Sequence, residues 1–207
     1  MTRHRIAILV GSLRKDSLNR KVACSICAFA SDKLDCKIVE IGNLPLYNQE
    51  YDGNSPAEYE RFRDEIREAD GVLFVSPEYN RGIPGVLKNA IDIGSRPYGK
   101  SVWNGKAAAI VTASPGAIGG FGANHQIRQS CVFLNMPVMQ QPEAYLGSVT
   151  DDQFDEDGCL KDGKLKEVVV KLANAFAEWV DLIHRAREHL YGTPEERKER
   201  RRERADA

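Results

Sequence analysis

The sequence lacks the features that mark membrane and secreted proteins. No apolar run approaches the roughly 18 residues of a membrane-spanning helix. The apolar stretch near the N-terminus, residues 6–10, is too short for the core of a signal peptide. The 207 residues include only five cysteines, an odd number without the spacing of a secreted disulfide framework. We therefore expect a protein of the cytoplasm with no membrane partner.

The chain also lacks an excess of charge of either sign. Its 29 Lys and Arg residues stand against 30 Asp and Glu residues, for a formal net charge of −1. This balance argues against a dedicated nucleic-acid-binding protein and against the strongly acidic surface of an electron carrier. We expect no metal site, because the Cys-x-x-Cys of Cys24 and Cys27 has no second pair to complete a zinc site. Both cysteines fall inside a predicted helix, which favours core packing over thioredoxin-type chemistry.

Buried strands and helices alternate along the chain, which predicts one α/β domain over residues 1–190. A charged tail follows at 191–207, which we expect to be helical or disordered. The predicted strands are residues 6–10, 37–41, 71–75, 107–111 and 137–139, and the predicted helices are residues 19–33, 57–69, 85–93, 124–134 and 164–190. Apolar strands separated by helices form a parallel sheet covered on both faces. Five such strands favour the flavodoxin-like order 2-1-3-4-5.

The same alternation predicts where a ligand binds. In an open parallel sheet the ligand crevice lies beyond the carboxyl ends of the strands, beside the point where the strand order reverses. Unusual loops follow three of the predicted strands, at residues 11–20, 76–85 and 112–122. Because these loops would share one edge of the sheet, we expect them to form one site.

The first loop carries short polar side chains and an arginine ahead of a helix. The N–H groups at a helix N-terminus are unpaired and suit a phosphate, to which Ser12, Ser17 and Asn19 add donors and Arg14 adds a bidentate guanidinium. The loop lacks Gly-x-Gly-x-x-Gly, so it suits one terminal phosphate better than a dinucleotide pyrophosphate. A capped helix start with solvated charges explains the same residues equally simply.

The second and third loops suit a flat ring. Two prolines and two glycines hold residues 76–85 in a defined shape. Tyr79 could lie against a ring there, with backbone groups around Glu78 and Asn80 at its polar edge, although a purely structural turn fits as well. The glycine-rich residues 112–122 would let the backbone approach a ligand closely. A glycine-rich loop is weak support by itself, and its value is its position.

Three segments together resemble the NADPH-dependent FMN reductase family, whose relatives include bacterial chromate and quinone reductases and azoreductases. They are Gly-Ser-Leu-Arg-x-x-Ser-x-Asn at 11–19, Pro-Glu-Tyr-Asn at 77–80 with Leu-Lys-Asn-Ala-Ile-Asp at 87–92, and the glycine-rich loop at 114–120. The resemblance implies that FMN binds at eleven positions. The first loop would hold the FMN phosphate, the second would line the isoalloxazine ring, and the third would close over it: Ser12, Arg14, Ser17, Leu18, Asn19; Pro77, Glu78, Tyr79, Asn80; Ser114, Gly116.

The resemblance also implies an activity. We expect an FMN-dependent oxidoreductase that takes hydride from NADPH or NADH and passes electrons to a small acceptor such as a quinone, free flavin, azo compound or chromate. The flavin does the redox chemistry, so we expect no catalytic side-chain triad. Backbone N–H groups near Tyr79 and Gly116 would face the ring. Two alternatives stay open: an electron carrier of the same fold without substrate turnover, and an interaction module that has lost flavin.

Two further predictions come from single segments. Residues 94–101 match the P-loop pattern Gly-x4-Gly-Lys-Ser, but they follow a helix and lead to a strand, so we interpret them as a connection. The helix at 84–93 carries Val86, Leu87 and Ile91, and family members pair subunits there. We therefore expect a homodimer or homotetramer.

Overall fold

Five parallel strands form a single sheet in the order β2-β1-β3-β4-β5. The structure is a computed structural model that describes residues 3–192. The strands are β1 His4–Val10, β2 Leu34–Ile38, β3 Gly71–Ser76, β4 Ala107–Ala113 and β5 Ala144–Leu146. This order confirms the predicted flavodoxin-like α/β fold. It places the carboxyl ends of β1, β3 and β4 side by side, with Val10 beside Val75 and Val75 beside Val111.

Helices cover both faces of the sheet. They are α1 Leu18–Phe29, α2 Ala57–Glu68, α3 Gly85–Gly94, α4 Phe121–Phe133 and α5 Lys164–Tyr191. All five were predicted. α1 ends earlier than expected because the Ala30 carbonyl accepts hydrogen bonds from the N–H groups of Lys33 and Leu34, which turns the chain into β2. α4 starts earlier than expected, at Phe121, directly after the glycine-rich loop.

Successive side chains of the strands pack alternately into two separate cores, one on each face of the sheet. In β1, Ile6 and Ile8 pack with α1 and α5 on one face, and Ala7 and Leu9 pack with α2, α3 and α4 on the other. This period of two is the pattern of a strand buried on both faces. The second core contains Trp103, which is fully buried and donates its indole N–H to the Ile91 carbonyl at 2.9 Å. The indole therefore brings a large apolar surface into the core without an unpaired polar atom.

Two strand predictions were misplaced. The fifth strand was expected at 137–139, but this segment makes only a bridge between Val138 and Ala108, and β5 lies further on at Ala144–Leu146. Val138 and Met139 resemble a strand because they are buried in the two opposite cores, but the backbone of this segment bonds to β4 only at Ala108. The second strand was expected at 37–41 and lies at Leu34–Ile38, because its pairing with β1 begins at His4 and Leu34.

No helix within residues 3–192 is long and apolar enough to cross a membrane. The prediction for the charged tail at 191–207 falls, apart from the last residue of α5 and Gly192, outside the described residues. The P-loop-like segment joins α3 to β4 and so does not have the strand-to-helix setting of a nucleotide-binding P-loop, as predicted.

Candidate functional site

The loops after β1 and β3 are in direct contact. The N–H of Gly11 donates to the Val75 carbonyl at 2.9 Å, and a Cβ at Gly11 would lie 2.4 Å from the Oγ of Ser76. Glycine is thus required for the first loop to leave the sheet beside the second. The carboxyl-edge arrangement expected from the sequence is present at this point.

The first loop ends at a capped helix. Ser17 is the N-cap of α1, and its Oγ accepts a hydrogen bond from the Arg20 N–H at 3.3 Å. The Ser17 carbonyl accepts from the Lys21 N–H at 3.1 Å. The N–H groups of Leu18 and Asn19, in the first turn, have no acceptor within the described chain. These two donors, at the positive end of the helix dipole, remain for a ligand.

Three cations lie within three residues of the Ser17 N-cap. Arg14, Lys15 and Arg20 line a cleft of about 280 Å³ together with Ser12 and residues 38–41 at the end of β2, which include the acidic Glu40. None of these three cations forms an ion pair with a residue between 3 and 192. The Oγ of Ser12 accepts from the Arg14 N–H at 3.4 Å, which shapes the loop. Unpaired cations beside free helix N–H groups are the chemistry that a phosphate requires.

Asn19 connects the first loop to β4. Its Nδ2 donates to the Ala113 carbonyl at 3.1 Å, and only 4% of the residue is exposed. Its Oδ1 is buried and has no hydrogen-bond partner in the described structure. A buried carbonyl oxygen without a donor is costly, so this atom is an acceptor still to be satisfied at the site.

The second loop is a tight hairpin. Tyr79 and Gly82 exchange two backbone hydrogen bonds, of 3.1 and 2.9 Å, around Asn80 and Arg81. Both central residues have a positive φ, 51° and 64°, which is the conformation of the tightest hairpin turns. Left-handed backbone at non-glycine residues is strained and often lies at functional sites. The turn holds the Tyr79 side chain half-exposed.

Glu78 joins the second loop to α4. Its Oε2 accepts a hydrogen bond from the Ala123 N–H at 2.9 Å, and its other oxygen pairs with Arg81 at 3.3 Å. The side chain is only 10% exposed. Because α4 has no side-chain cap of its own, the Glu78 carboxylate satisfies an N–H in its first turn and complements the helix dipole. The structure thus gives Glu78 a clear structural contact beside its expected position at the ring.

The third loop is fixed to β5. The Ser114 N–H donates to the Leu146 carbonyl at 3.0 Å, and its carbonyl accepts from Val149 at 3.1 Å. The Gly116 carbonyl accepts from the Ser148 N–H at 3.2 Å. A Cβ at Gly147 would lie 2.2 Å from the Ala117 carbonyl oxygen, so the two segments lie backbone against backbone.

Two N–H groups that were expected to face the flavin ring, one in the second loop and one in the third, already donate hydrogen bonds within the protein. The Tyr79 N–H bonds to Gly82, and the Gly116 N–H donates to the Ser114 Oγ at 3.1 Å. These two groups are therefore occupied by the protein itself. Pro77 and Asn80 lie in the hairpin loop as expected, with Pro77 half-buried and accepting from the Ser76 hydroxyl.

Sequence reasoning missed the residues that join these loops. Gln126 of α4 accepts from the Ile83 N–H at 3.1 Å and donates to the Arg81 carbonyl. The segment after β5, residues 146–149, supports the third loop and was not considered, because the fifth strand was misplaced. Gly147, directly after an apolar triplet, was the available signal for a close backbone approach.

Comparisons with known proteins show the family. A family model described as NADPH-dependent FMN reductase matches residues 4–151. The chain is 58% identical over 178 residues to a quinone reductase of Pseudomonas putida, covering 86% of this chain and 95% of that protein. It is 42% identical to a 2-hydroxy-1,4-benzoquinone reductase of a Burkholderia species, covering 85% of this chain and 96% of that protein.

A solved structure is similar over the same span. The flavoenzyme NAD(P)H:(acceptor) oxidoreductase FerB from Paracoccus denitrificans superposes with a TM-score of 0.82 at 37% identity, covering 86% of this chain and 97% of that chain. The chain belongs to the NADPH-dependent FMN reductase family. It is an oxidoreductase that uses FMN, with NAD(P)H as the electron donor.

The site fits such a cofactor. The free N–H groups of Leu18 and Asn19 and the unpaired Arg14 suit its phosphate, and the half-exposed Tyr79 suits its ring. Within residues 3–192 no group of three or more His, Cys, Asp or Glu side chains is placed to hold a metal ion.

Proposed function

We propose that this enzyme transfers electrons from NAD(P)H to a quinone-type acceptor through FMN held by the three loops. The acceptor class is supported by the quinone reductase and 2-hydroxy-1,4-benzoquinone reductase among its relatives. The observation that carries the proposed cofactor site is the start of α1, where two helix N–H groups without acceptors follow a loop whose Arg14 and Lys15 form no ion pair within residues 3–192.

The proposed residue roles follow from these contacts. Ser12, Ser17, Leu18 and Asn19 would surround the phosphate, and Arg14 would balance its charge. Bound FMN supplies the redox chemistry by accepting a hydride and returning the electrons. Pro77, Glu78, Tyr79 and Asn80 would position the ring with Ser114 and Gly116, since the contacts of Glu78 with α4 and of Ser114 with β5 hold both loops rigid.

The chain's own contribution is binding and orientation. Tyr79 would present a flat face to the ring, and the hydrogen-bonded hairpin would restrict its movement. Because one exposed ring face would serve both the nucleotide and the quinone, the two substrates would bind in turn. This predicts ping-pong kinetics.

Steady-state kinetics with purified protein test the proposal. We expect FMN uptake with yellow colour, oxidation of NADPH or NADH in the presence of 1,4-benzoquinone without any partner protein, and parallel double-reciprocal plots. Intersecting plots would contradict the shared binding face. Turnover that needs a second protein would favour the electron-carrier alternative, and protein that takes up no FMN would contradict the site.

We also propose that the protein is a cytoplasmic homodimer or homotetramer, but not through the surface expected from the sequence. Of the three apolar side chains expected to pair subunits, Leu87 and Ile91 of α3 are buried in the chain's own core and Val86 is partly buried against it. Large apolar side chains are instead exposed on α4, where Val132 is 78% and Phe133 87% exposed. Sedimentation velocity tests this proposal. We expect the wild type to sediment as an oligomer and the Phe133→Glu variant to sediment as a smaller species. A monomeric wild type would contradict the proposal.

A further inference from the structure

Three aromatic side chains lie in contact at the start of α4, beside the third loop. Phe121 is the first residue of α4, His125 follows one turn later, and Tyr145 is the middle residue of β5. The ring centroids are 4.2 Å apart for the first and second, 5.2 Å for the first and third, and 5.9 Å for the second and third. Phe121 is 49% exposed and His125 is also exposed, so this group, the aromatic cluster, presents ring surface to solvent.

The aromatic cluster borders the proposed flavin site. A Cβ at Gly122, next to Phe121, would lie 2.7 Å from the Arg81 carbonyl oxygen of the second loop. A Cβ at Gly119 of the third loop would lie 2.6 Å from the carbonyl carbon of Tyr145. The backbone segments that carry the cluster are therefore packed directly against the two loops expected to hold the ring of FMN.

His125 and Tyr145 add hydrogen-bonding groups to this apolar surface. The Tyr145 hydroxyl and the His125 Nε2 are 3.2 Å apart. Burial raises the pKa of Tyr145, so its hydroxyl keeps its proton at neutral pH and donates a hydrogen bond to this nitrogen. An imidazole that accepts at Nε2 carries its proton on Nδ1, which has no acceptor within residues 3–192. The cluster thus combines ring faces with one N–H donor that the described chain leaves free.

Two arginines beside the cluster are already engaged. Arg128, on the same helix, donates to the Asn124 Oδ1 at 3.0 Å and to the Met139 carbonyl at 3.2 Å. Arg81 forms an ion pair with Glu78. An uncharged flat molecule therefore suits the cluster better than the phosphates of NAD(P)H do, because phosphates require cations that are free to pair.

We propose that the aromatic cluster is the recognition surface for the quinone acceptor. Its rings contact the quinone ring, and the His125 N–H donates to a quinone carbonyl oxygen. The cluster thereby determines how well an acceptor binds, whereas the binding of FMN and of NAD(P)H does not depend on it. This inference rests on the proposed function, since it requires FMN-dependent turnover of a quinone.

The cluster is separate from the surface proposed for subunit contact. Contiguous exposed apolar surface on a protein marks an interaction site, and α4 has such surface at both ends. Val132 and Phe133 lie at the end of α4, about 18 Å along the helix axis from Phe121 at 1.5 Å per residue. Only the start of the helix touches the second and third loops, so only the aromatic cluster is placed to meet an acceptor.

Steady-state kinetics with purified holoenzyme test the proposal. The acceptors are tetramethyl-1,4-benzoquinone and 2,3-dimethyl-1,4-naphthoquinone. Neither has a free quinone ring position for addition of the Cys24 thiol, which is exposed rather than packed in the core as its motif suggested. Ferricyanide is the control acceptor, because it takes electrons without binding as a flat apolar ring. In ping-pong kinetics kcat/KM for each substrate reports only on its own half-reaction, which separates the acceptor from the nucleotide.

Phe121→Ala should impair quinone reduction selectively. We expect kcat/KM for the naphthoquinone to fall about tenfold, with a smaller fall for the single-ring quinone, while the values for NADPH and ferricyanide stay within about twofold. Phe121→Tyr keeps an aromatic ring and should restore the wild-type values. Tyr51→Ala, which removes a partly exposed ring at residues 49–52, is the matched control and should behave as the wild type.

His125→Phe tests the hydrogen bond, because it keeps a ring and removes the N–H. We expect kcat/KM for both quinones to fall several-fold without an effect on ferricyanide. A binding measurement complements turnover: without nucleotide, tetramethyl-1,4-benzoquinone should shift the imidazole NMR signals of His125 and leave those of the exposed His189 in place.

The outcomes separate this inference from the proposed function. Unchanged quinone values in Phe121→Ala would overturn the inference alone, and so would an equal fall in the values for NADPH or ferricyanide. A wild-type protein that takes up no FMN or reduces no quinone would contradict the proposed function, and the inference with it.

Discussion

The side-chain amide of Asn19 donates to the backbone carbonyl of Ala113 at 3.1 Å, across the sheet edge from α1 to the end of β4. This bond joins the segment that begins the proposed phosphate site to the segment that begins the third loop. Both residues are buried, so the bond is shielded from water. The bond therefore fixes the two loops relative to each other in the folded chain, before any ligand binds.

Replacing Asn19 with Leu should lower stability and cofactor affinity together. The change leaves the buried Ala113 carbonyl without its donor, which costs about 1–3 kcal/mol of unfolding free energy. We expect weaker FMN binding in the same variant, measured by fluorescence titration, with urea unfolding for stability. Asn174→Leu on α5 is the control, because it removes a half-buried amide that bonds to Val170 of the same helix and to the Lys33 ammonium, away from the three loops. Unchanged FMN affinity in Asn19→Leu would show that the bond between Asn19 and Ala113 does not contribute to FMN binding.

Arg14→Ala should discriminate between FMN and riboflavin. Loss of one exposed charge-assisted contact to phosphate costs about 1.4 kcal/mol, or tenfold in affinity. Riboflavin has no phosphate, so its affinity should stay the same. Arg185→Ala, on the exposed side of α5, is the charge-matched control. An equal loss for both flavins would refute the role of Arg14.

The sequence predicted the architecture because its signals were local. Buried apolar strands such as residues 71–75 and the start of α5 at Lys164 need no distant partner to be recognised. The prediction of the fifth strand was wrong for the opposite reason. Ala144–Leu146 is short, and it is recognisable as a strand only from its pairing with β4. Likewise Glu78 was expected at a ring edge from the resemblance, but its bond to Ala123 joins positions 45 residues apart, which no local pattern encodes.

Glu78→Ala should destabilise α4 and the second loop. The carboxylate replaces a missing N-cap, and losing such a cap costs about 1 kcal/mol. Glu78→Gln keeps an acceptor for the Ala123 N–H, so it should lose only the charge contribution, about 0.5 kcal/mol. Urea unfolding measures both, with the exposed Glu178→Ala of α5 as a control. Equal losses for Ala and Gln would show that the hydrogen bond itself contributes nothing.

Gly147→Ala should displace the third loop. The new Cβ would meet the Ala117 carbonyl oxygen at 2.2 Å. That oxygen belongs to the backbone and the position of a Cβ is fixed by its own backbone, so no side-chain rotation can relieve the contact. We expect a loss of about 2 kcal/mol or more, in the range of overpacked cores, together with weaker FMN binding. Gly53→Ala is the matched control, because its Cβ would meet nothing within 4 Å. A variant as stable as Gly53→Ala would contradict the close approach.

Alkaline pH should weaken the fold through Cys131. Burial raises the pKa of this thiol from 9.0 to about 12, with Arg128 opposing the shift. Between these values the unfolded chain has released the proton and the folded chain has kept it, so stability falls as pH rises. From pH 8 to pH 10 the thiol should account for about 1.4 kcal/mol of lost stability. Urea unfolding at the two pH values should show Cys131→Ala losing less than the wild type by this amount. Equal losses in the two proteins would mean that Cys131 ionises as readily in the folded chain as in the unfolded one.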